Sequence, residues 1–192
     1  MPLPEPADLN PAHRHTLLEL ARGSIAYGLT HGRALEVDPS GYPPELRTER
    51  AAFVTLHEEG QLRGCIGHLE AVAPLVCDVA DNAFAAAFRD PRFPPLQAEE
   101  LARLHIEISV LTVPEPIACS SEADLLRQVE PGRDGLILAE GRSRGTFLPT
   151  VWESLPKAKE FIRHLKVKAG LSPGHWSDAV EVWRYRTESF SE

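Results

Sequence analysis

Cysteine is scarce in this chain. The three present, Cys65, Cys77 and Cys119, are odd in number and widely spaced, with no C-x-x-C pair, so neither a disulfide framework nor a four-cysteine zinc site fits. A reducing compartment is the default for such usage. Long apolar runs are missing too, since none approaches the roughly 20 residues that a membrane-spanning helix needs. The leading Met1-Pro2-Leu3-Pro4-Glu5-Pro6 is proline-rich and acidic where a signal peptide is basic and then apolar. A cytoplasmic protein is expected. Basic charge is also short, with 20 Lys and Arg against 28 Asp and Glu and a net charge of −8. That balance argues against bulk nucleic-acid binding, which rests on a basic footprint. What is present is an ordinary globular composition, 43% hydrophobic and 25% charged over 192 residues, enough for one large or two small domains.

Asn10-Pro11 offers an N-cap followed by proline at the first helical position. Leu17, Leu18, Ala21, Ile25 and Leu29 then recur on one helical face up to Gly32. Prolines and Gly41 between Leu35 and Thr48 suggest an extended connection. Ala51 to His57 and Leu62 to Leu69 flank Glu58-Glu59-Gly60-Gln61 and predict a β-hairpin. Val76, Val79, Ala80, Ala83, Phe84, Ala87 and Phe88 give the clearest helical period, ended by Asp90-Pro91. Leu104 to Leu111 alternates as a strand with one buried face. Further on, a short helix around Ser121 to Val129, strands at Leu136 to Ala139 and Thr146 to Leu148, a helix started by Ser154 and Pro156, and a closing strand through Val180 and Val182 are predicted. Hairpins among the strands favour an antiparallel α+β fold over a parallel doubly wound sheet.

Gly141-Arg142-Ser143-Arg144-Gly145 matches G-x-S-x-G literally, but it joins two predicted strands where a nucleophile elbow requires a strand, a strained turn and a helix. A basic hairpin tip is the better reading. His105-x-Glu107 resembles half of a zinc deaminase signature without its P-C-x-x-C partner, and strand alternation explains both residues as a solvated face. Cys65-x-x-His68 supplies two soft ligands where a closed zinc site needs four. No metal or cofactor is expected.

The remaining candidate is Leu62-Arg63-Gly64-Cys65-Ile66-Gly67. Arg63 and Cys65 share a strand face about 7 Å apart, where a guanidinium favours a thiolate, and the glycines allow close approach of a ligand or another backbone. The hairpin register decides which face Cys65 takes. With a two-residue Glu59-Gly60 turn, Cys65 lies opposite Val54 and Arg63 opposite Leu56, on an apolar face. With a three-residue loop, Cys65 lies opposite Thr55 and Arg63 opposite His57, on a polar face suited to chemistry. A second cluster, Asp90-Pro91-Arg92-Phe93-Pro94-Pro95-Leu96, reads as a helix stop pinned by an Asp90 or Arg92 hydrogen bond. Its functional reading is a rigid loop presenting Arg92 to an anionic group near Cys65.

These two segments, followed by Glu107-Ile108-Ser109-Val110-Leu111, Gly132-Arg133-Asp134-Gly135-Leu136, Phe147-Leu148-Pro149 and Lys168-Ala169-Gly170-Leu171, resemble the AMMECR domain family in order and over nearly the whole chain. Leu-Arg-Gly-Cys-Ile-Gly is that family's signature. The resemblance implies a single domain over residues 1–192 with two subdomains. The larger would contain both termini and the smaller would fall within about residues 70–150, with the signature near a cleft between them. It also implies association with a MEMO-like protein and a radical S-adenosylmethionine protein, the AmmeMemoRadiSam system. Two functions follow as expectations. One is a binding or partner module that uses the signature region, with Gly64, Gly67, Asp90 and Arg92 on the ligand. The other is a cysteine-dependent enzyme in which Cys65 is the nucleophile, Arg63 and Arg92 stabilise negative charge, and His68 or His57 moves protons.

Overall fold

The computed structural model describes residues 9–192; the proline-rich lead, on which the signal-peptide argument rests, lies outside the described residues. Contacts divide the chain into two compact units, residues 1–112 with 188–192, and Val113–Thr187. The second unit starts later than the sequence suggests, because the helix and strand between residues 75 and 111 bury their apolar faces in the core of the first.

In the first unit, α1 (Pro11–His31) starts at Asn10, whose side chain accepts a hydrogen bond from the His13 amide, and stops at Gly32 in the left-handed conformation. The 35–48 connection is not simply extended. It contains a turn of 3-10 helix at Pro39–Gly41 and the short α2 (Pro44–Arg47), both opened by prolines. Strands β1 (Ala52–Glu58) and β2 (Gln61–Gly67) form the predicted hairpin. They are followed by α3 (Leu75–Phe88) and β3 (Leu104–Leu111). The polar β8 (Thr187–Ser191), which carries no hydrophobic alternation, completes a sheet of order β2-β1-β3-β8. One face of this sheet is dry. Val54, Leu56, Ile106 and Ile108 are fully buried with Leu17 and Ile25 of α1 and Val76, Val79, Ala80 and Ala83 of α3. The helices cross closely, and the buried Ser24 hydroxyl donates to the Ala80 carbonyl.

The second unit holds β4 (Glu115–Pro116), α4 (Glu122–Gln128), β5 (Gly135–Glu140), β6 (Ser143–Phe147), α5 (Ala158–Lys168) and β7 (Glu181–Tyr185). Its sheet runs β4-β7-β5-β6 and is antiparallel. The chain is therefore α+β with two antiparallel sheets. The last helix begins at Ala158, because Pro149–Glu153 forms a separate 3-10 turn before it. Trp152 in that turn stacks on Phe161 at 3.7 Å and donates its indole N–H to the Asp134 carbonyl. Among the described residues no helix is long and apolar enough to cross a membrane.

Candidate functional site

The hairpin combines features of both registers that the sequence leaves open. Glu58 faces Gln61, so the turn has two residues, Glu59 and Gly60, both at positive φ. A bulge then shifts the pairing between Leu56 and His57, so that Leu56 faces Gly64 and Thr55 faces Cys65. Gly64 shows why the bulge is needed. A Cβ there would lie 2.1 Å from the Ala86 carbonyl oxygen, so strand and helix meet backbone to backbone. At Gly67 a Cβ would meet the Phe53 ring at 2.3 Å and the Ala52 carbonyl at 2.5 Å. The space beside both glycines is taken by this chain's own atoms.

Cys65 is partly buried, with its sulfur 3.2 Å from the Thr55 hydroxyl. Its backbone is held more firmly than its thiol. β2 is an edge strand, and the outward N–H of Cys65 donates to Asp90 Oδ2 at 2.9 Å while its carbonyl accepts from Arg92 Nη2 at 3.4 Å. Asp90 and Arg92 thus satisfy the edge as a neighbouring strand would. They are also locked together, since Arg92 donates to both Asp90 oxygens at 3.0 and 2.7 Å. These hydrogen bonds from Arg92, ahead of the backbone ones, hold the buried Asp90 carboxyl well below the usual carboxylate range. The helix stop is pinned by hydrogen bonds of Asp90 and Arg92, and the pin is attached to Cys65.

Arg63 is engaged by Glu100 and the Pro94 carbonyl. Its Nε and Nη2 donate to Glu100 at 2.7 and 3.2 Å, Nη2 also donates to the Pro94 carbonyl, and Nη1 is buried without a partner among the described residues. The Arg63 hydrogen bond holds the Glu100 carboxyl below its ordinary pKa. We expect Arg63→Gln to leave the alkylation rate of Cys65 in the folded protein unchanged. It should lower stability by about 1–3 kcal/mol through the abandoned Glu100, measured by urea unfolding.

His68 is separated from Cys65 by strand alternation. Its Nδ1 lies 2.5 Å from Asp78 Oδ1 of α3, on the helix side of the sheet. Asp78 also accepts from the Ala52 amide and from Asn82 Nδ2, and burial pushes its carboxyl pKa up. The expected catalytic trio of Cys65, Arg63 and His68 is therefore dispersed to three different partners, whereas Cys65, Asp90 and Arg92 are brought together. Glu100 and Asp78 have no part in the sequence reading, whereas Thr55 opposite Cys65 is one of its two registers. Only the i, i+4 spacing of Asp78 and Asn82 on one helix hinted at a shared task.

The face of the sheet turned away from the core carries Phe53, Thr55 and His57 on β1, Cys65 on β2, and His105, Glu107 and Ser109 on β3, in register. In the second unit Ser143 opens β6 directly opposite Glu140, with a two-residue turn between them. G-x-S-x-G is a hairpin tip, as the sequence argues. Glu140 instead engages His175 at 2.6 Å and the Ser177 hydroxyl. A cavity of about 490 Å³ in this unit is lined by Gly132 and Pro149, which belong to two of the blocks that carry the resemblance, together with Thr150 and Trp152.

The model of one family, AMMECR1, matches residues 18–190. The chain belongs to the AMMECR1 family. A protein of Methanothermobacter thermautotrophicus is 40% identical over 192 residues, covering 97% of each chain. One of Thermotoga maritima is 38% identical over 92% of this chain and 97% of its own. The crystal structure of an uncharacterized protein from Pyrococcus horikoshii is similar at a TM-score of 0.81 and 37% identity, covering 92% of this chain and 90% of that one. AMMECR1 membership thus extends over both units.

Proposed function

We propose that this AMMECR1 protein is a cytoplasmic binding module whose outer sheet face, centred on Thr55, Cys65 and Glu107, docks a MEMO-like protein that acts with a radical S-adenosylmethionine protein. One observation carries the reading. The charged groups around the signature, Asp90 and Arg92, are engaged by the backbone of Cys65 and by each other, and Arg63 is spent on Glu100. A cysteine nucleophile requires a base within hydrogen-bond reach and an orienting group behind it. The sulfur's hydrogen-bond neighbour here is a threonine hydroxyl, and the carboxylate-held imidazole that follows the cysteine in sequence, His68, belongs to the other face. Such a clamp makes a rigid, pre-organised surface, and rigidity is what recognition gains from.

Glu107 tests this directly. It makes no hydrogen bond or ion pair among the described residues and lies at the middle of the face. Glu107→Lys should therefore change stability by no more than about 0.5 kcal/mol while abolishing capture of the MEMO-like protein from the same organism. Unimpaired capture by a folded Glu107→Lys protein would remove this face from the interaction.

A further inference from the structure

Just past the end of β2, His68 is fixed by backbone and side chain alike. Its N–H donates to the Ala52 carbonyl at 3.1 Å, and its ring Nδ1 lies 2.5 Å from Oδ1 of Asp78. The carboxylate is 1% exposed, whereas the His68 side chain is 46% exposed. The other oxygen, Oδ2, accepts from the Ala52 amide at 3.0 Å and from Asn82 Nδ2 at 2.9 Å. Asn82 Nδ2 also approaches Nδ1 at 3.4 Å, but its two hydrogens are taken by Asp78 and, at 3.2 Å, by the Ala52 carbonyl. Burial raises the Asp78 carboxyl pKa, and the hydrogen bonds from His68 and from the Ala52 amide oppose that rise. A carboxylate surrounded by donors is an acceptor throughout, so the hydrogen between the two side chains sits on Nδ1.

A neutral ring with its hydrogen on Nδ1 carries its free electron pair on Nε2. That atom has no hydrogen-bond partner among the described residues, and because Nδ1 is turned toward a buried group, Nε2 lies on the exposed edge of the ring. The pair has the oriented imidazole of a catalytic triad without a serine in front of it, so the ring itself meets what arrives. The charged neighbours set the class of that arrival. Asp81 acts on Asp78 as a like charge, and Glu70 is exposed two residues beyond His68. Such an acidic setting repels phosphoryl and other anionic donors and leaves the neutral ones.

We propose that His68 is an acyl-acceptor site, whose Nε2 takes an acyl group from neutral activated carbonyl compounds of the ester, thioester or anhydride class. The Nε2 electron pair bonds to the carbonyl carbon, the bond from that carbon to the leaving oxygen or sulfur breaks, and the leaving group departs with the pair as an anion. The ring is then an N-acylimidazolium. It keeps its Nδ1 hydrogen on Asp78, whose negative charge offsets the new positive one. Water next adds to the acyl carbon, the carbon–nitrogen bond breaks with its pair returning to Nε2, and the proton released neutralises the departed anion. The sum is hydrolysis of the donor. Asp78 acts only through the ring and is a positioning residue. This chemistry belongs to the helix side of the sheet and stands whether or not the MEMO-like protein docks on the outer face.

The test treats the full chain with diethyl pyrocarbonate, a neutral acyl donor, and reads the modification rate of each histidine by peptide mass spectrometry. His68 should react at least about tenfold faster than His15 and His164, a modest share of the roughly 100- to 10,000-fold that an oriented imidazole contributes in catalysis. Exposure alone predicts the reverse, since those side chains are 72% and 53% exposed. Asp78→Asn should abolish the advantage. Its amide oxygen would keep the Ala52 and Asn82 donors, so its NH2 would face Nδ1 and drive the ring hydrogen to Nε2, the unreactive tautomer. Nitrogen-15 NMR of the ring should show the hydrogen on Nδ1 in the wild type and on Nε2 in the variant, a change that a merely structural role would not produce. The wild-type ranking and tautomer need no variant to fold. A His68 no faster than His15, a wild-type hydrogen on Nε2, or a folded Asp78→Asn protein that keeps the fast rate would overturn the site.

Discussion

Gly64→Ala should leave the first unit unable to reach its native packing, with a loss of about 4–5 kcal/mol, at the extreme end of single substitutions. The new methyl would sit 2.1 Å from the Ala86 carbonyl oxygen and 3.0 Å from its carbonyl carbon. Both are helix backbone, so no side chain can swing aside, and α3 would have to lift from β2 across the core that holds Val79, Ala83 and Val54. A domain's whole stability is about 5–15 kcal/mol, so urea unfolding should show most or all of it gone. A midpoint within the wild-type error would mean that helix and strand are less closely apposed than described.

Asp90→Ala should have the next largest effect, about 2–4 kcal/mol, since it strands the Cys65 N–H and deprives Arg92 of a bidentate partner. Asp90→Asn should cost less because an acceptor for that N–H remains. The pH dependence has a definite sign. The folded carboxyl is held below its unfolded value of about 3.9, so Asp90 contributes stability fully above that pH and loses it as the pH falls toward the folded value. Wild-type stability should therefore decline more steeply below pH 4 than that of Asp90→Ala, measured by urea unfolding at fixed pH. Parallel pH profiles would show that the carboxylate is not engaged. The exposed edge of β2 should also make the alanine variant more prone to association.

The helices of the first unit are legible because their signals are local: Asn10-Pro11 and Gly32 bracket α1, and seven apolar positions recur along α3. The Glu59-Gly60 turn is legible for the same reason. The bulge after it is not, because it answers to Ala86, a helix residue that the strand meets only in the folded chain. That one shift decides that Cys65 shares a face with Thr55. The partner of Arg63 is not legible for the same reason, since Glu100, in the 3-10 turn at Ala98–Arg103, meets it only in the folded chain. β8 escaped notice because Thr187 to Ser191 has neither the length nor the alternation of a half-buried strand. His57 and His105 are far apart in sequence, and only the β1–β3 register makes them neighbours.

Cys65→Ser gives the most direct measurement, because a hydroxyl can keep the Thr55 contact and the backbone bonds to Asp90 and Arg92 while removing the thiol. Calorimetric titration of the MEMO-like protein into this variant should give an affinity within about threefold of wild type, the range of a substitution that leaves the surface intact. Binding lost in a folded Cys65→Ser protein would contradict a module that works by shape, and would return the thiol to the centre of the chemistry.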